Sequence, residues 1–488
     1  MKIREDKMMM LFKILYLLHV LFAFNCFTLK MSIWNITTII IMVVGSIILV
    51  KKIIRNKFRF SYKFLWVLIL FTGSYFVSSL VNVEYGYIGN IKAIIWMVFQ
   101  FFLLYWIDYR KEEVEKELKI FLSVLILYTF ICSLIGIAMT CVGYGGRTNF
   151  ADGSGTFYGF IWGRLWGCYT DPNHGALITT IAIFAAVYII RIVEKNIYRV
   201  LMKLTIVVNF LYIVFSDSRS AKLSLTLGCF VWMCIQLKAR MQIGKKEVIK
   251  SCLLIGVCTV GIYSLFGITK NGYNYIIQQS YIKEMEEKSN IMTEVSDESQ
   301  SIYDLEEVPE EVDAESNELG EEYIEDDSRH TVGREEDIEV DYSNRRFDIW
   351  KSGVEIFNEN KIFGVSFRNI LPYAEQKMEN TYIVSNDYGK FDSFHNVVID
   401  VLVSQGVVGI SLFFIFTIMV IVFVYRNVFI MDGNKKIEIQ FLVVSVFVIA
   451  FDSMFISAVF FVNSPETVIF WTLLGYLIFL LTCDRKEK

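Results

Sequence analysis

The chain is poor in residues that mark metal and redox sites. It has only four histidines in 488 residues, and proline is equally scarce, with four residues. The chain contains nine cysteines. None of the cysteines forms a C-x-x-C pair, and most lie inside apolar runs, where cysteine behaves as a small hydrophobic residue. No spacing of His, Cys, Asp or Glu is typical of a metal site. The sequence therefore shows no metal-binding motif.

Apolar residues, in contrast, are abundant. Hydrophobic residues make up 55% of the chain and aromatic residues 16%, whereas soluble domains contain about 45–50% apolar residues. A membrane-spanning helix needs about 20 mostly apolar residues. By that rule the sequence predicts an all-α polytopic membrane protein with about twelve spans, at residues 8–27, 34–50, 64–81, 91–107, 118–139, 176–192, 201–215, 223–237, 248–268, 407–425, 439–461 and 468–482.

Lysine and arginine set the predicted orientation. The net charge is -4, but the acidic residues concentrate between Glu284 and Asp341, and the rest of the chain is basic. Cytoplasmic loops carry an excess of Lys and Arg. Basic clusters at 51–63, 110–119, 238–250 and 485–488 fall on one side of a twelve-span count. We therefore expect both termini in the cytoplasm, and Asp171, Arg219 and His395 outside.

These predictions divide the chain into four parts. Residues 1–141 hold the N-terminal transmembrane helices, and residues 142–268 hold further transmembrane helices with outer-face elements at Arg164, Asp171 and Arg219. Residues 269–394 form one long extracytoplasmic loop, and residues 395–488 form the C-terminal transmembrane helices.

The long loop has two halves of different character. Residues 284–341 are acidic and poor in aromatic residues, so they predict a disordered insert that cannot bury enough apolar surface to fold. Residues 345–358 predict an amphipathic helix, with Phe347, Trp350, Val354 and Phe357 on one face. Such a face can lie in the membrane interface.

Two outer-face clusters each allow two interpretations. The stretch from Arg164 to Asp171-Pro172-Asn173 is either a capped turn at a helix start or an anion site at that start. Arg219 lies in the short turn Ser216–Ala221, where it either snorkels to the interface or grips a phosphate through two nitrogens.

Two further clusters belong to the long loop and its end. Arg345 and Arg346, at the start of the amphipathic helix, are either a solvated or headgroup-bound charge pair or ligand-binding groups. His395 is followed by Asn396 and by a helix that enters the membrane, which would point its imidazole into a cavity between loop and bundle. An imidazole can titrate near neutral pH. Asp400, Asp452 and His19 are ionisable groups inside apolar runs, where such groups are often functional.

Together these clusters resemble the O-antigen ligase and O-antigen polymerase family of bacterial membrane glycosyltransferases. The similar residues lie in order from about 160 to 425, and the first five predicted helices carry no motif. They are Arg164…Asp171-Pro172-Asn173, Ser218-Arg219-Ser220, Arg346…Ile349-Trp350…Gly364-Val365 and His395-Asn396…Gly406-Val407-Val408-Gly409.

The resemblance implies a GT-C-like fold in the bacterial plasma membrane and, as substrate, a glycan on undecaprenyl pyrophosphate. It implies that His395 is the base that acts on an acceptor hydroxyl. Arg219 and Arg346 would bind the pyrophosphate, with Arg164, Asn173 and Asn396 as further substrate-binding residues. It implies no metal and no other cofactor.

A polysaccharide polymerase, which joins lipid-linked repeat units into capsule, O-antigen or exopolysaccharide, is the leading interpretation. The chain is rich in Ile, Lys and Asn and has only four prolines, a composition typical of a low-GC genome. Lipopolysaccharide is uncommon in organisms with such genomes. This favours a polymerase over a ligase that transfers to lipid A core or another acceptor. A flippase or transporter is the alternative of another class. Expected partners are membrane lipids and a chain-length regulator and flippase of the same pathway; we expect no nucleic acid.

Overall fold

A computed structural model describes residues 2–150, 155–239, 245–299, 331–333, 345–387, 389–430 and 436–486. Long apolar helices dominate this part of the chain, which confirms the predicted all-α polytopic membrane protein. The helices are α1 (Lys2–Ala23), α2 (Ile33–Arg55), α3 (Leu65–Val81), α4 (Ile88–Phe99), α5 (Lys111–Cys141), α6 (Pro172–Ile192), α7 (Asn196–Phe215), α8 (Arg219–Ala239), α9 (Lys245–Ser299), α10 (Arg346–Glu359), α11 (Ile370–Lys377), α12 (Val397–Tyr425), α13 (Ile437–Asp452) and α14 (Pro465–Lys486).

Each predicted span overlaps one of these helices, but the count of twelve stays a prediction. Nine stretches within the described residues are long and apolar enough to cross a membrane, by length and composition. The apolar helix α3 is shorter than these. The fourth predicted span is α4 continued by a π-helical segment, Gln100–Tyr105.

The predicted span at 439–461 is wrong beyond Asp452, where α13 ends. The chain from 453 to 464 is irregular although it is apolar and largely buried. Its backbone bonds to the loop before α12: Ser453 O accepts from Val397 N at 2.9 Å, and Met454 O accepts from the Asn396 side chain at 3.1 Å. Hydropathy alone does not separate a buried irregular segment from the end of a helix.

A small antiparallel sheet, which we did not predict, lies between α5 and α6. Its strands are β1 (Gly145–Asn149), β2 (Gly155–Ile161) and β3 (Arg164–Gly167), in the order β1-β2-β3. The strands are short and rich in glycine, so they lack the run of β-branched residues that signals a strand. Strand β3 packs on α5 and brings Arg164 towards the bundle.

The predicted disordered insert is wrong in its first part, because α9 continues to Ser299. Apart from residues 331–333, the rest of the insert lies outside the described residues. Helix α10 forms where the amphipathic helix was expected. Phe347 and Val354 on its predicted apolar face are exposed, whereas Ile349 and Ile356 are buried on its other side. Helix α10 packs against α12.

Helix α12 is interrupted at Gly406, which has a left-handed backbone (φ 61°). The loop after α10 enters this break: Val365 N donates to Val403 O at 2.9 Å and Val407 N donates to Lys361 O at 2.8 Å. Gly364 also has a positive φ, of 64°, and a Cβ there would collide with Val403 O. Glycine is required at both positions because the two backbones touch, which accounts for the two glycine elements of the sequence pattern.

Candidate functional site

Two cavities of similar size lie beside the predicted site residues. The first, which we call the arginine cavity, has a volume of about 490 Å³. The second, which we call the histidine cavity, has a volume of about 530 Å³. Polar and aromatic residues that line the arginine cavity include Arg219, Lys222, Lys270, Arg346, Trp350 and Phe455. Those that line the histidine cavity include Lys92, His174, Arg368, Asp392, His395 and Ser457.

Arg219 reaches the arginine cavity from the start of α8, after a tight turn from α7. Asp217 in this turn has a positive φ of 47°. Arg164 stabilises the turn, since its Nε donates to Ser216 O at 2.8 Å. Asn173 Oδ1 accepts from both Arg164 Nη2 and Ser218 Oγ, each at 3.0 Å. The turn is therefore fixed by side chains from β3 and α6.

This network also shows where the structure places Arg164 and Asn173. Arg164 is only 9% exposed, and neither residue is among the described residues that line the two cavities. The helix-start interpretation of this stretch is correct: the Asp171 carboxylate accepts from Asn173 N at 2.6 Å and from His174 N at 3.2 Å. Burial favours the neutral acid, but His174, Arg164 and these N–H groups outweigh it and hold the pKa of Asp171 below its usual value.

Arg346, the first residue of α10, reaches the arginine cavity from the opposite side. Its Nη2 donates to Phe455 O at 3.1 Å, and its guanidinium lies 5.4 Å from the centre of the Phe455 ring. We call residues 453–457 the divider, because Phe455 lines the arginine cavity and Ser457 lines the histidine cavity. Arg346 is thus fixed to the chain segment that separates the two cavities.

His395 lies on the other side of the divider in a constrained loop. Its φ is 49°, a left-handed conformation that is uncommon for a residue with a side chain. Asp400 holds the loop, since its Oδ1 accepts from Phe394 N and its Oδ2 from Ser457 Oγ, both at 2.8 Å. Non-glycine residues held in this region often lie at functional sites.

Asn396 anchors the loop from the other end. Its Oδ1 caps α12 by accepting from Val398 N at 3.0 Å, and its Nδ2 donates to Met454 O in the divider. Trp350 of α10 also reaches this loop, through a 3.0 Å hydrogen bond from its Nε1 to Phe394 O. Asn396 and Trp350 therefore fix His395 relative to the divider and to the helix that carries Arg346.

The electrostatic surroundings keep the His395 imidazole neutral. Burial lowers its pKa below the usual value, because burial penalises the charged form. The charges of Arg346 and His174 lower the pKa further, whereas Asp171 and Asp392 oppose them. A neutral imidazole at neutral pH can accept a proton, as a general base must.

Sequence reasoning gave no role to three side chains that line the histidine cavity, His174, Lys92 and Arg368. His174 Nδ1 lies 3.0 Å from Glu466 Oε1, a carboxylate that is 0% exposed. Lys92, at the start of α4, and Arg368 also line the histidine cavity. The sequence held one signal for Lys92, because a lysine on the predicted outer face runs against the preference of basic residues for the cytoplasmic side.

Within the described residues no group of three or more His, Cys, Asp or Glu side chains could hold a metal ion.

One segment of the chain matches a known protein family. Residues 204–414 match the family described as O-Antigen ligase. The match confirms the resemblance to the O-antigen polymerase and ligase family. It includes Arg219, Arg346 and His395, whereas Arg164 and Asn173 precede it. No curated protein matches the chain. The match supports, at a general level, a multi-pass membrane enzyme that transfers a lipid-linked glycan.

Proposed function

We propose that this protein is a polysaccharide polymerase that transfers a glycan from undecaprenyl pyrophosphate to a sugar hydroxyl of a second lipid-linked unit. The observation that carries the proposal is the placement of His395 and Arg346 on opposite sides of one divider. Arg346 itself is hydrogen-bonded to the divider. The loop of His395 is bonded to it through Asn396 and Asp400. This arrangement brings a neutral base and a fixed cation to the boundary between two cavities.

The arginine cavity suits the pyrophosphate of the donor. Arg219 and Arg346 reach it from different helices, and Lys222 adds positive charge. Lys270 also lines the cavity, but its charge is offset by Asp217, 3.7 Å away. Guanidinium groups bind phosphate oxygens through two parallel hydrogen bonds. They stabilise the charge that builds up on the pyrophosphate as it leaves, and this stabilisation is strongest where water is excluded.

His395 supplies the other half of the reaction. The acceptor hydroxyl oxygen attacks the anomeric carbon of the donor sugar, and the bond from that carbon to the pyrophosphate oxygen breaks. The hydroxyl proton passes to the neutral imidazole of His395, and the electron pair of the broken bond stays on undecaprenyl pyrophosphate. Base assistance is useful because a sugar hydroxyl is a weak nucleophile. This step uses no metal ion or cofactor.

Arg164, Asn173 and Asn396 support this site from outside the cavities. Arg164 and Asn173 hold the turn before Arg219, and Asn396 holds the loop of His395. We therefore assign them to positioning rather than to direct substrate binding.

The description of the matching family favours a second candidate, transfer of the glycan to lipid A core or to another acceptor by a ligase. The chemistry at His395 and the arginines is the same, and the acceptor differs. A polymerase would work with a flippase and a chain-length regulator, and polymer of regulated length made from a lipid-linked repeat unit alone distinguishes the two candidates.

The proposed site requires the outer-face topology in the plasma membrane, with both termini in the cytoplasm. Reporter fusions after Asn290 and at Lys488 test this arrangement. We expect an extracytoplasmic signal from the first fusion and a cytoplasmic signal from the second. A cytoplasmic signal after Asn290 would contradict the mechanism.

His395→Ala tests the proposed chemistry. Loss of a general base costs roughly 10²–10⁴-fold in rate, so polymer should nearly vanish and unpolymerised lipid-linked units should accumulate. His19→Ala is the matched control, because His19 bonds to Thr37 in α2 and lines neither cavity among the described residues. Purified His395→Ala protein that elongates donor at the wild-type rate would overturn the assignment.

A further inference from the structure

We propose that the histidine cavity is the acceptor site and that it selects a sugar bearing a carboxylate or phosphate, through Lys92 and Arg368. The inference rests on the proposed function, since it takes His395 as the base that faces the acceptor. It adds the chemical class of the acceptor, which the family match does not give.

The charges around the cavity carry this inference. Lys92, Arg368 and Asp392 are exposed and line the histidine cavity, so two cations face one anion there. His174 lies against the buried Glu466 carboxylate, and these two groups offset each other if both are charged. A neutral sugar does not require this surplus of positive charge. An anionic substituent uses it directly.

The side chain of Arg368 is held in place for such a contact. Its guanidinium lies 5.4 Å from the centre of the Phe367 ring. Its backbone N–H donates to Asn90 Oδ1 at 3.3 Å. A Cβ added to Gly89 would lie 3.2 Å from Arg368 Cβ, so this arginine packs closely on the start of α4, the helix that carries Lys92. The two cations are thus presented by one packed unit.

The rest of the cavity suits a sugar ring. Its volume of about 530 Å³ lies within the roughly 300–1,000 Å³ typical of small-molecule sites. Trp96 and Phe24 provide apolar wall, and Ser457 and Asn463 provide hydrogen-bonding groups beside His395. Lys92, Arg368 and His395 line the same cavity, so a sugar whose charged substituent lies at the two cations shares that cavity with His395.

Lysine footprinting of the full-length protein in neutral nanodiscs tests the site. Glucuronic acid, glucose 6-phosphate and glucose serve as three probes, and the acetylation rate of each lysine is read by mass spectrometry. We expect the two anionic sugars, and not glucose, to slow acetylation of Lys92. Lys222 in the arginine cavity should be unaffected by glucuronic acid, and pyrophosphate should protect it. Equal protection of Lys92 by glucose, or none by any sugar, would overturn the inference.

Nanodiscs with phosphatidylglycerol test the competing ligand, an anionic lipid headgroup. Protection of Lys92 in the phosphatidylglycerol nanodiscs, with no protection by glucuronic acid in the neutral nanodiscs, would also overturn the inference.

Arg368→Gln tests the second cation, with Arg345→Gln as control because Arg345 lines neither cavity within the described residues. A hydrogen bond to a charged group is worth about a factor of ten or more in affinity. We expect the glucuronic acid concentration that gives half protection to rise about tenfold in Arg368→Gln and to stay unchanged in the control; an unchanged value in Arg368→Gln would contradict selection by this residue.

His395→Ala separates the two proposals. If it keeps the Lys92 footprint but also keeps transfer, the base assignment fails while the anion site stands. If it loses transfer and the wild-type protein shows no footprint, the acceptor inference fails alone.

Discussion

The two cavities have nearly equal volumes, yet their walls differ in kind. The arginine cavity is bordered by Leu223, Tyr263 and Phe347, large apolar side chains that are at least 36% exposed. In a membrane protein such exposed apolar groups face lipid. The histidine cavity also has apolar wall, but the exposed charged side chains of Lys92 and Arg368 border it as well. In the proposed function, the lipid-linked leaving group and the hydrophilic acceptor would reach the divider from these two cavities.

After the loss expected for His395→Ala, the largest effect should come from the arginine cavity. In Arg219→Lys and Arg346→Lys the charge remains but the two-nitrogen contact to phosphate is lost. We expect each change to reduce glycan transfer about tenfold or more, measured with purified protein and lipid-linked donor. Arg345→Lys, one residue before Arg346, should transfer normally. Near-normal transfer by both cavity variants would show that these arginines contact lipid headgroups or set the topology and do not bind pyrophosphate.

A smaller effect should follow from loosening the divider. Ser457→Ala removes the hydroxyl that donates to Asp400 Oδ2 at 2.8 Å, and an unpaired buried acceptor costs about 1–3 kcal/mol. We expect lower thermal stability, and reduced transfer with unchanged donor affinity because the His395 side is affected. Ser453→Ala is the control, since the Ser453 hydroxyl donates to Ala450 O near the end of α13 and not to Asp400. A loss of donor affinity in Ser457→Ala would show that the divider does not separate the two functions.

The smallest effect should be on the pH dependence. Because the pKa of His395 lies below its usual 6.5, kcat/KM should rise with pH to a plateau, with a midpoint under about 6.5. The unfolded state then binds more protons than the folded state, so His395 destabilises the fold as pH falls below about 6.5. This contribution should be absent in His395→Gln when thermal unfolding is followed against pH.

Arg346 links this titration to the other cavity. Its charge lowers the pKa of His395, so Arg346→Gln should move the midpoint of the kcat/KM profile to higher pH. An unchanged midpoint would mean that the charge of Arg346 does not influence the titration of His395.

The sequence draws attention to residues that stand out chemically, but it does not reveal the residues that connect them. Arg219, Arg346 and His395 could be selected because each is a charged or titratable group in a distinctive context. The divider could not, because residues 453–461 extend an apolar run and hydropathy does not report where a backbone finds its hydrogen bonds. Lys92 and Arg368 belong to separate stretches whose contact depends on tertiary packing.

Arg164 illustrates the opposite case. A motif and a positive charge suggested a pyrophosphate ligand, but its guanidinium bonds to Ser216 O and Asn173 Oδ1 inside the protein. A sequence shows that a charge is present, and only the packing shows whether the charge faces a cavity or braces a turn.

The central claim is that the leaving group binds in the arginine cavity and that the base lies in the histidine cavity. Equilibrium binding of undecaprenyl pyrophosphate to purified wild-type, His395→Ala and Arg219→Lys/Arg346→Lys proteins tests this claim most directly. We predict that His395→Ala binds the lipid as tightly as the wild-type protein, and that the arginine variant binds at least about tenfold more weakly. Weak binding by His395→Ala, or wild-type binding by the arginine variant, would contradict the assignment of leaving group and base to separate cavities.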